Sequence, residues 1–151
     1  MTRVEFIFNV PDKLAKTVDL CEKAVAKNRQ ITVFAPDANV TTELQQLLWH
    51  GSTQAVATSF LPSALAADLH AHLSPIVLDT TGEHLVQDDV LINLQLEYPP
   101  FFSRFRYLVE MVGLTEEDKA QARARFRFYR DRGYTIKTTD LADTPAISTT
   151  P

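Results

Sequence analysis

Cysteine is nearly missing from this chain: Cys21 is its single one, which excludes an internal disulfide and a cysteine-rich zinc site. A reducing cytoplasmic setting is therefore expected. Glycine and proline are also scarce, four and eight in 151 residues, which excludes collagen-like repeats and low-complexity linkers as a global description. No apolar run approaches the roughly 20 residues needed to cross a bilayer, so a soluble protein with no membrane partner is expected. The first residues form a charged, alternating segment rather than a basic stretch followed by an apolar one, unlike a secretory signal. A GxxxxGK phosphate loop, a GxGxxG turn and a GxSxG nucleophile elbow are all missing, so nothing points to nucleotide or acyl chemistry.

The most informative absence concerns charge. From Gln30 to Phe102 there are 73 residues without Lys or Arg, carrying eight acids: Asp37, Glu43, Asp68, Asp79, Glu83, Asp88, Asp89 and Glu97. The basic residues are concentrated elsewhere. Between Lys119 and Lys137 seven cations face one acid, a local net charge of +6, so the overall charge of −4 leaves −10 for the rest. The overall balance excludes a protein that wraps nucleic acid with its whole surface, and the distribution predicts a bipolar molecule.

What is present reads as one α/β domain. Val4, Phe6 and Phe8 alternate along a first strand, and Asp12 is placed to cap a helix over 13–28 whose buried face carries Leu14, Val18, Cys21 and Val25. The segment 31–35 reads as a buried strand. A second helix is expected after Thr41 or Thr42, with Leu44, Leu47 and Leu48 inward, and a short helical piece over 64–72. Residues 75–78 and 90–94 read as further strands. Phe102, Phe105, Leu108, Val109 and Val112 have helical spacing and predict a helix stopped by Gly113. Thr115 with Asp118 predicts the start of a last helix running to about Arg132, with Gly133 beyond it and a strand beginning at Tyr134. Short apolar strands separated by helices favour a mostly parallel central sheet covered on both faces by helices.

The last helix carries the strongest functional signal. At 100° per residue, Lys119, Arg123, Arg127 and Arg130 fall within about 80° of one another. Ala122, Phe126 and Tyr129 form the adjoining apolar face, so Phe126 borders the basic stripe. Cations beside an aromatic wall suit a phosphate, and suit equally an acidic peptide ending in an apolar side chain. A solvated basic face remains the plainer alternative. A second candidate is aromatic: Trp49 and Phe60, near connections, would anchor a partner if exposed, or belong to the core if buried. His70-Ala-His72 lacks the spacing of ligands on a helix and has no cysteine cluster to complete a zinc set. Asp88-Asp89 reads as a turn. Neither a metal nor a cofactor, nor an independent active site, is expected.

Several segments taken together resemble the chi subunit of bacterial DNA polymerase III. They are Phe6-x-Phe-Asn9 with Asp12-Lys13-Leu14, Leu20-Cys-Glu-Lys-Ala24, Leu47-Leu-Trp49, Ser59-Phe-Leu-Pro62 and Val90-Leu-Ile-Asn-Leu94. Further on come Phe105-Arg106 before Glu110, Ala122-Arg-x-Arg-Phe-Arg-x-Tyr-Arg130, and Gly133-Tyr134. The resemblance implies a three-layer, Rossmann-like domain over residues 1–138, with 139–151 as a tail, and a non-catalytic adaptor in the replicative polymerase. It implies a pocket for the acidic C-terminal tail of single-stranded DNA-binding protein formed by Val112, Lys119, Arg123, Phe126, Arg127 and Tyr134. In that pocket Arg123 would grip the terminal carboxylate. It also implies that Trp49 and Phe60 contact the psi subunit, or an equivalent clamp-loader component, so that DNA is reached mainly through a bound protein. Where family members continue their Phe-x-Pro segment with His and a glycine-rich loop, this chain has Ser63 and an alanine-rich run, which alters the surface beside the psi contact. Two other readings remain: a weak, salt-dependent direct contact with single-stranded nucleic acid, and a cryptic phosphate-processing enzyme using Asp88 or Asp89.

Overall fold

The computed structural model describes residues 1–50 and 63–142. Among the described residues three helices and seven strands follow one another as β1 (Arg3–Phe8), α1 (Lys13–Ala26), β2 (Ile31–Phe34), α2 (Ala38–His50), β3 (Ser63–Leu65), β4 (Ile76–Asp79), β5 (Val90–Asn93), β6 (Tyr107–Met111), α3 (Glu116–Asp131) and β7 (Ile136–Asp140). The strands form one sheet in the order β3-β4-β2-β5-β6-β1-β7, and every pairing in it is parallel.

Alternation along the strands builds two separate cores. Ile7, Val33, Leu78, Ile92, Val109 and Met111 meet Val18 and Cys21 of α1 and Leu44 and Leu48 of α2 on one face. Val4, Phe6, Leu91 and Leu108 meet Ala122 and Tyr129 of α3, with Phe102 and Phe105, on the other. The result is a three-layer α/β sandwich. Parallel strands need crossovers of one hand. The crossovers through α1 and α2 run toward β3 while that through α3 runs toward β7, so these helices cover opposite faces. The switch in direction lies between the neighbouring strands β1 and β6, and the crevice outside the ends of such strands is where ligands bind in open α/β sheets.

Several local expectations hold. Asp12 accepts the Ala15 N–H at 3.1 Å to cap α1, and Thr115 accepts the Asp118 N–H at 3.1 Å to cap α3. Past α3, Gly133 takes φ +85, a left-handed conformation that glycine adopts without a side-chain penalty.

Others are corrected. The helix expected over Phe102–Val112 is a 3-10 turn at Phe102–Arg104 followed by β6. β6 lies between β5 and β1 and is covered on both faces, so its residues are apolar almost without interruption. A short run of that kind carries no reliable period. The helical piece over 64–72 is β3 and a 3-10 turn at Ala71–Leu73, with Ser63, Ala64 and Leu65 paired to β4. α2 starts at Ala38, because Asp37 accepts the Asn39 N–H at 2.8 Å; Thr41 instead lies buried and donates its hydroxyl to the Ala35 and Asp37 carbonyls. β7 continues through Asp140, and residues 143–151 of the expected tail lie outside the described residues.

Candidate functional site

α3 presents three faces to three environments. Ala122, Arg125 and Tyr129 are buried against the sheet. Gln121, Ala124 and Phe128 border one flanking cleft, together with Tyr98 and Phe101. On its other flank α3 and the ends of β1 and β7 enclose a cleft of about 290 Å³, lined by Phe8, Asn9, Val112, Lys119, Ala122, Arg123, Phe126 and Asp140. This second cleft opens beside the β1/β6 crevice where the crossover direction switches.

Its floor is apolar and its rim charged. Val112 is buried, and Phe126 is half-buried with its ring 5.3 Å from that of Phe6, which in turn stacks on Phe8 at 6.1 Å. Arg123 is exposed, and Lys119 keeps 37% of its side chain exposed while reaching Glu116 at 3.7 Å. An exposed pair of that length restrains Lys119 little. On the opposite rim Asn9 donates to Asp140 at 2.7 Å, and this bond holds the Asp140 carboxyl below its usual range. The mouth of α3 is pinned: Asp118 accepts from the Gly113 N–H and from Lys13 at 2.9 Å, joining the starts of α1 and α3 to the end of β6. Burial opposes ionisation of Asp118, but these donors outweigh it and hold its carboxyl below the ordinary value.

The six residues expected to share one pocket divide. Val112, Lys119, Arg123 and Phe126 converge on the cleft. Arg127 is exposed one turn further along α3 and extends the stripe beyond the lining. Tyr134 packs edge-on to Phe102 at 5.1 Å. It precedes β7, at the end of the strand remote from Asp140, roughly 20 Å away at 3.3 Å per residue. Phe8, Asn9 and Asp140 escaped the sequence reading, because β1 and β7 are neighbours in the sheet although Asn9 and Asp140 are 131 residues apart.

Arg125 belongs elsewhere than its neighbours in the basic run suggest. Its side chain is 3% exposed and its Nε lies 3.0 Å from Glu110, itself fully buried, while Nη1 donates to the Leu96 carbonyl at 2.6 Å. Glu110 also accepts from Asn93 at 3.0 Å and from the Tyr129 hydroxyl at 2.6 Å. Burial pushes the Glu110 carboxyl upward against the Arg125 charge, and burial followed by the Glu110 charge pushes the Tyr129 hydroxyl up. Two signals pointed here: Arg125 shares the helical face of Ala122 and Tyr129, and Glu110 is a lone acid inside an apolar strand.

The aromatic candidate is half visible. Trp49, on α2 in the opposite layer, is 66% exposed, which removes it from the core, and Leu47, expected inward, is 37% exposed. Phe60 lies outside the described residues. His70 and His72 have ring centroids 6.5 Å apart, and no group of three metal-ligating side chains occurs among the described residues. No helix of the described residues is long and apolar enough to cross a membrane.

Comparison with known proteins gives a consistent picture. The family model described as DNA polymerase III chi subunit, HolC, matches residues 1–137. The DNA polymerase III subunit chi of Pseudomonas aeruginosa is 33% identical over 143 residues, covering 91% of this chain and 95% of the relative. That of Haemophilus influenzae is 30% identical over 100 residues, covering 66% of this chain and 67% of the relative.

Proposed function

The chain belongs to the chi-subunit family of DNA polymerase III, an accessory component of the replicative polymerase, and from that premise we propose that it is a non-catalytic adaptor whose α3 cleft binds the acidic C-terminal tail of single-stranded DNA-binding protein. The observation that carries this reading is the pairing of Lys119 and Arg123 with an apolar floor of Val112, Phe8 and Phe126 in one cleft. A peptide end brings both parts: a carboxylate for the guanidinium and an apolar side chain for the rings. Arg127 would meet acids further up the tail. Direct capture of DNA is disfavoured, because a duplex or single strand needs a longer positive track than one stripe on an otherwise anionic surface.

The second half of the adaptor is the surface around Trp49, which would meet the psi subunit or an equivalent clamp-loader component. α2 and α3 cover opposite faces of the sheet, so both partners fit at once. Such a bridge turns a free encounter into a tethered one and raises the polymerase's effective concentration at coated template.

The test is calorimetric titration of the full chain with an acidic peptide ending in an apolar residue, combined with amide-shift mapping. Arg123→Ala is expected to weaken binding by roughly tenfold or more, the worth of a charge-assisted hydrogen bond. Equal affinity of both proteins refutes the role of Arg123. Naked single-stranded DNA binding more tightly than the peptide would instead support the direct nucleic-acid reading.

A further inference from the structure

Arg125 spends only part of its hydrogen-bonding capacity on the core. A guanidinium carries several N–H groups in a fixed fork. In Arg125 the Nε–H donates to Glu110 and Nη1 donates to the Leu96 carbonyl, while Nη2 meets no acceptor among the described residues. Nη2 is not sealed in either. Among the described residues Asp79 Oδ2 is the one side-chain nitrogen or oxygen that is both buried and unpaired, so Nη2 keeps an open surface although the Arg125 side chain is 3% exposed. A charged group buried to that degree with donors left over is short of an acceptor.

That surface faces a cleft of about 780 Å³ on the flank of α3 that carries Gln121, Ala124 and Phe128. The cleft lies beyond the C-terminal ends of β2, which stops at Phe34, and β5, which runs into Gln95 and Leu96. Its walls are apolar and mostly aromatic: Tyr98 stacks on Phe128 at 3.7 Å, and Phe101 meets Phe34 edge-on at 5.0 Å. The volume is that of a small-molecule site, and a single buried polar anchor in an apolar cleft is how such sites fix orientation. The charged residues among those lining it are Arg125 and Glu97, and Arg125 is already balanced by Glu110. An anion would therefore meet a neutral pair and a carboxylate. A cation without an acceptor would leave Nη2 unserved. A neutral carbonyl meets the donor without adding a charge, and a ring attached to it matches the aromatic walls.

We propose that this cleft binds a small neutral aromatic amide, with its carbonyl oxygen on Arg125 Nη2 and its ring against Leu96, Tyr98 and Phe101. The site lies on the other flank of α3 from Lys119 and Arg123 and does not depend on the peptide reading.

The full chain, labelled with nitrogen-15, is titrated in parallel with benzamide, sodium benzoate and benzylammonium chloride to about 50 mM, beyond the millimolar range expected of so small a ligand. Saturating shifts at the Gly82, Leu96 and Ala124 amides are expected with benzamide and not with benzylammonium, and the benzamide affinity should not change with salt. Benzoate should bind more weakly than benzamide. Arg125→Lys keeps a charge opposite Glu110 but loses the planar fork, and should lower the benzamide affinity by roughly tenfold or more. Ala124→Leu, at an exposed helical position on the cleft wall, fills the space with the core intact and should weaken binding as well, so the proposal stays open to refutation if Arg125→Lys does not fold. Benzoate binding as tightly as benzamide, equal shifts with benzylammonium, undiminished binding by either folded variant, or no saturating shift over the whole range, as when a water serves Nη2, each overturns the proposal.

Discussion

Arg123 and Arg125 stand two residues apart in the same basic run, and the structure gives them opposite roles. The Arg125 guanidinium sits in the core, 3.0 Å from a fully buried Glu110. Arg125→Met keeps the length of the side chain and removes its charge. Glu110 then stays buried with only Asn93 and Tyr129 as donors. Breaking a buried pair by removing one member costs about 3–5 kcal/mol. For a domain of this size each kcal/mol moves the melting temperature by about 2–4 °C, so a fall of about 6–20 °C is expected. Arg123→Ala, at an exposed site, should change stability by about 0.5 kcal/mol or less. Urea unfolding of both variants, of Glu110→Leu and of the Arg125→Met/Glu110→Leu double variant completes the comparison. The double variant should cost less than the two single changes together, with a coupling of about 1–3 kcal/mol. If Arg125→Met costs under about 1 kcal/mol, or Arg123→Ala costs as much as Arg125→Met, the division of roles along α3 is wrong.

Three further outcomes follow from the same contacts. Phe126→Ala removes a half-buried ring that packs on Phe6, so it should cost about 1–2 kcal/mol, below the fully buried range, and weaken peptide binding as well; Phe126→Leu should restore most of the stability in urea unfolding. Cys21 is fully buried and its thiol is pushed up to about 12, chiefly by burial, so a thiol reagent at pH 8 should label it only at the rate at which the chain unfolds. Asp89 is held below its ordinary carboxyl value first by the hydrogen bond from Arg29, with the Gln30 N–H adding to it. A depressed carboxyl stabilises the fold above its unfolded value near pH 4, and that contribution is lost as pH falls further. Asp89→Asn should therefore unfold with a flatter acid limb than the parent below pH 4, and an identical limb would refute the contribution.

Legibility along the chain followed the range of the interactions involved. Caps and helix faces are local, so Asp12, Thr115, Gly133 and the Lys119–Arg123 stripe could be placed from spacing alone. The covered strand β6 could not, because burial on both faces erases the alternation that identifies a strand; its apolar positions also match a helix. Arg125, one of the seven cations between Lys119 and Lys137 and outside the stripe, shares the face of Ala122 and Tyr129, and the lone acid Glu110 on the strand beneath explains its burial.

The candidate cleft divides in the same way. Its helical wall, Lys119, Arg123 and Phe126, was written in one segment with a regular period. Its other wall, Phe8, Asn9 and Asp140, exists because β7 returns to pair with β1, Phe8 opposite Asp140. The same pairing puts Tyr134 at the end of β7 remote from Asp140, where it packs on Phe102 and does not line the cleft. The uneven distribution of charge, legible at once, placed cations on α3 and left the span from Gln30 to Phe102 without any. A linear pattern carries side-chain chemistry and helical phase, which depend on near neighbours. Which distant segments face each other depends on the order of strands in the sheet, set by long-range packing and the direction of the crossovers.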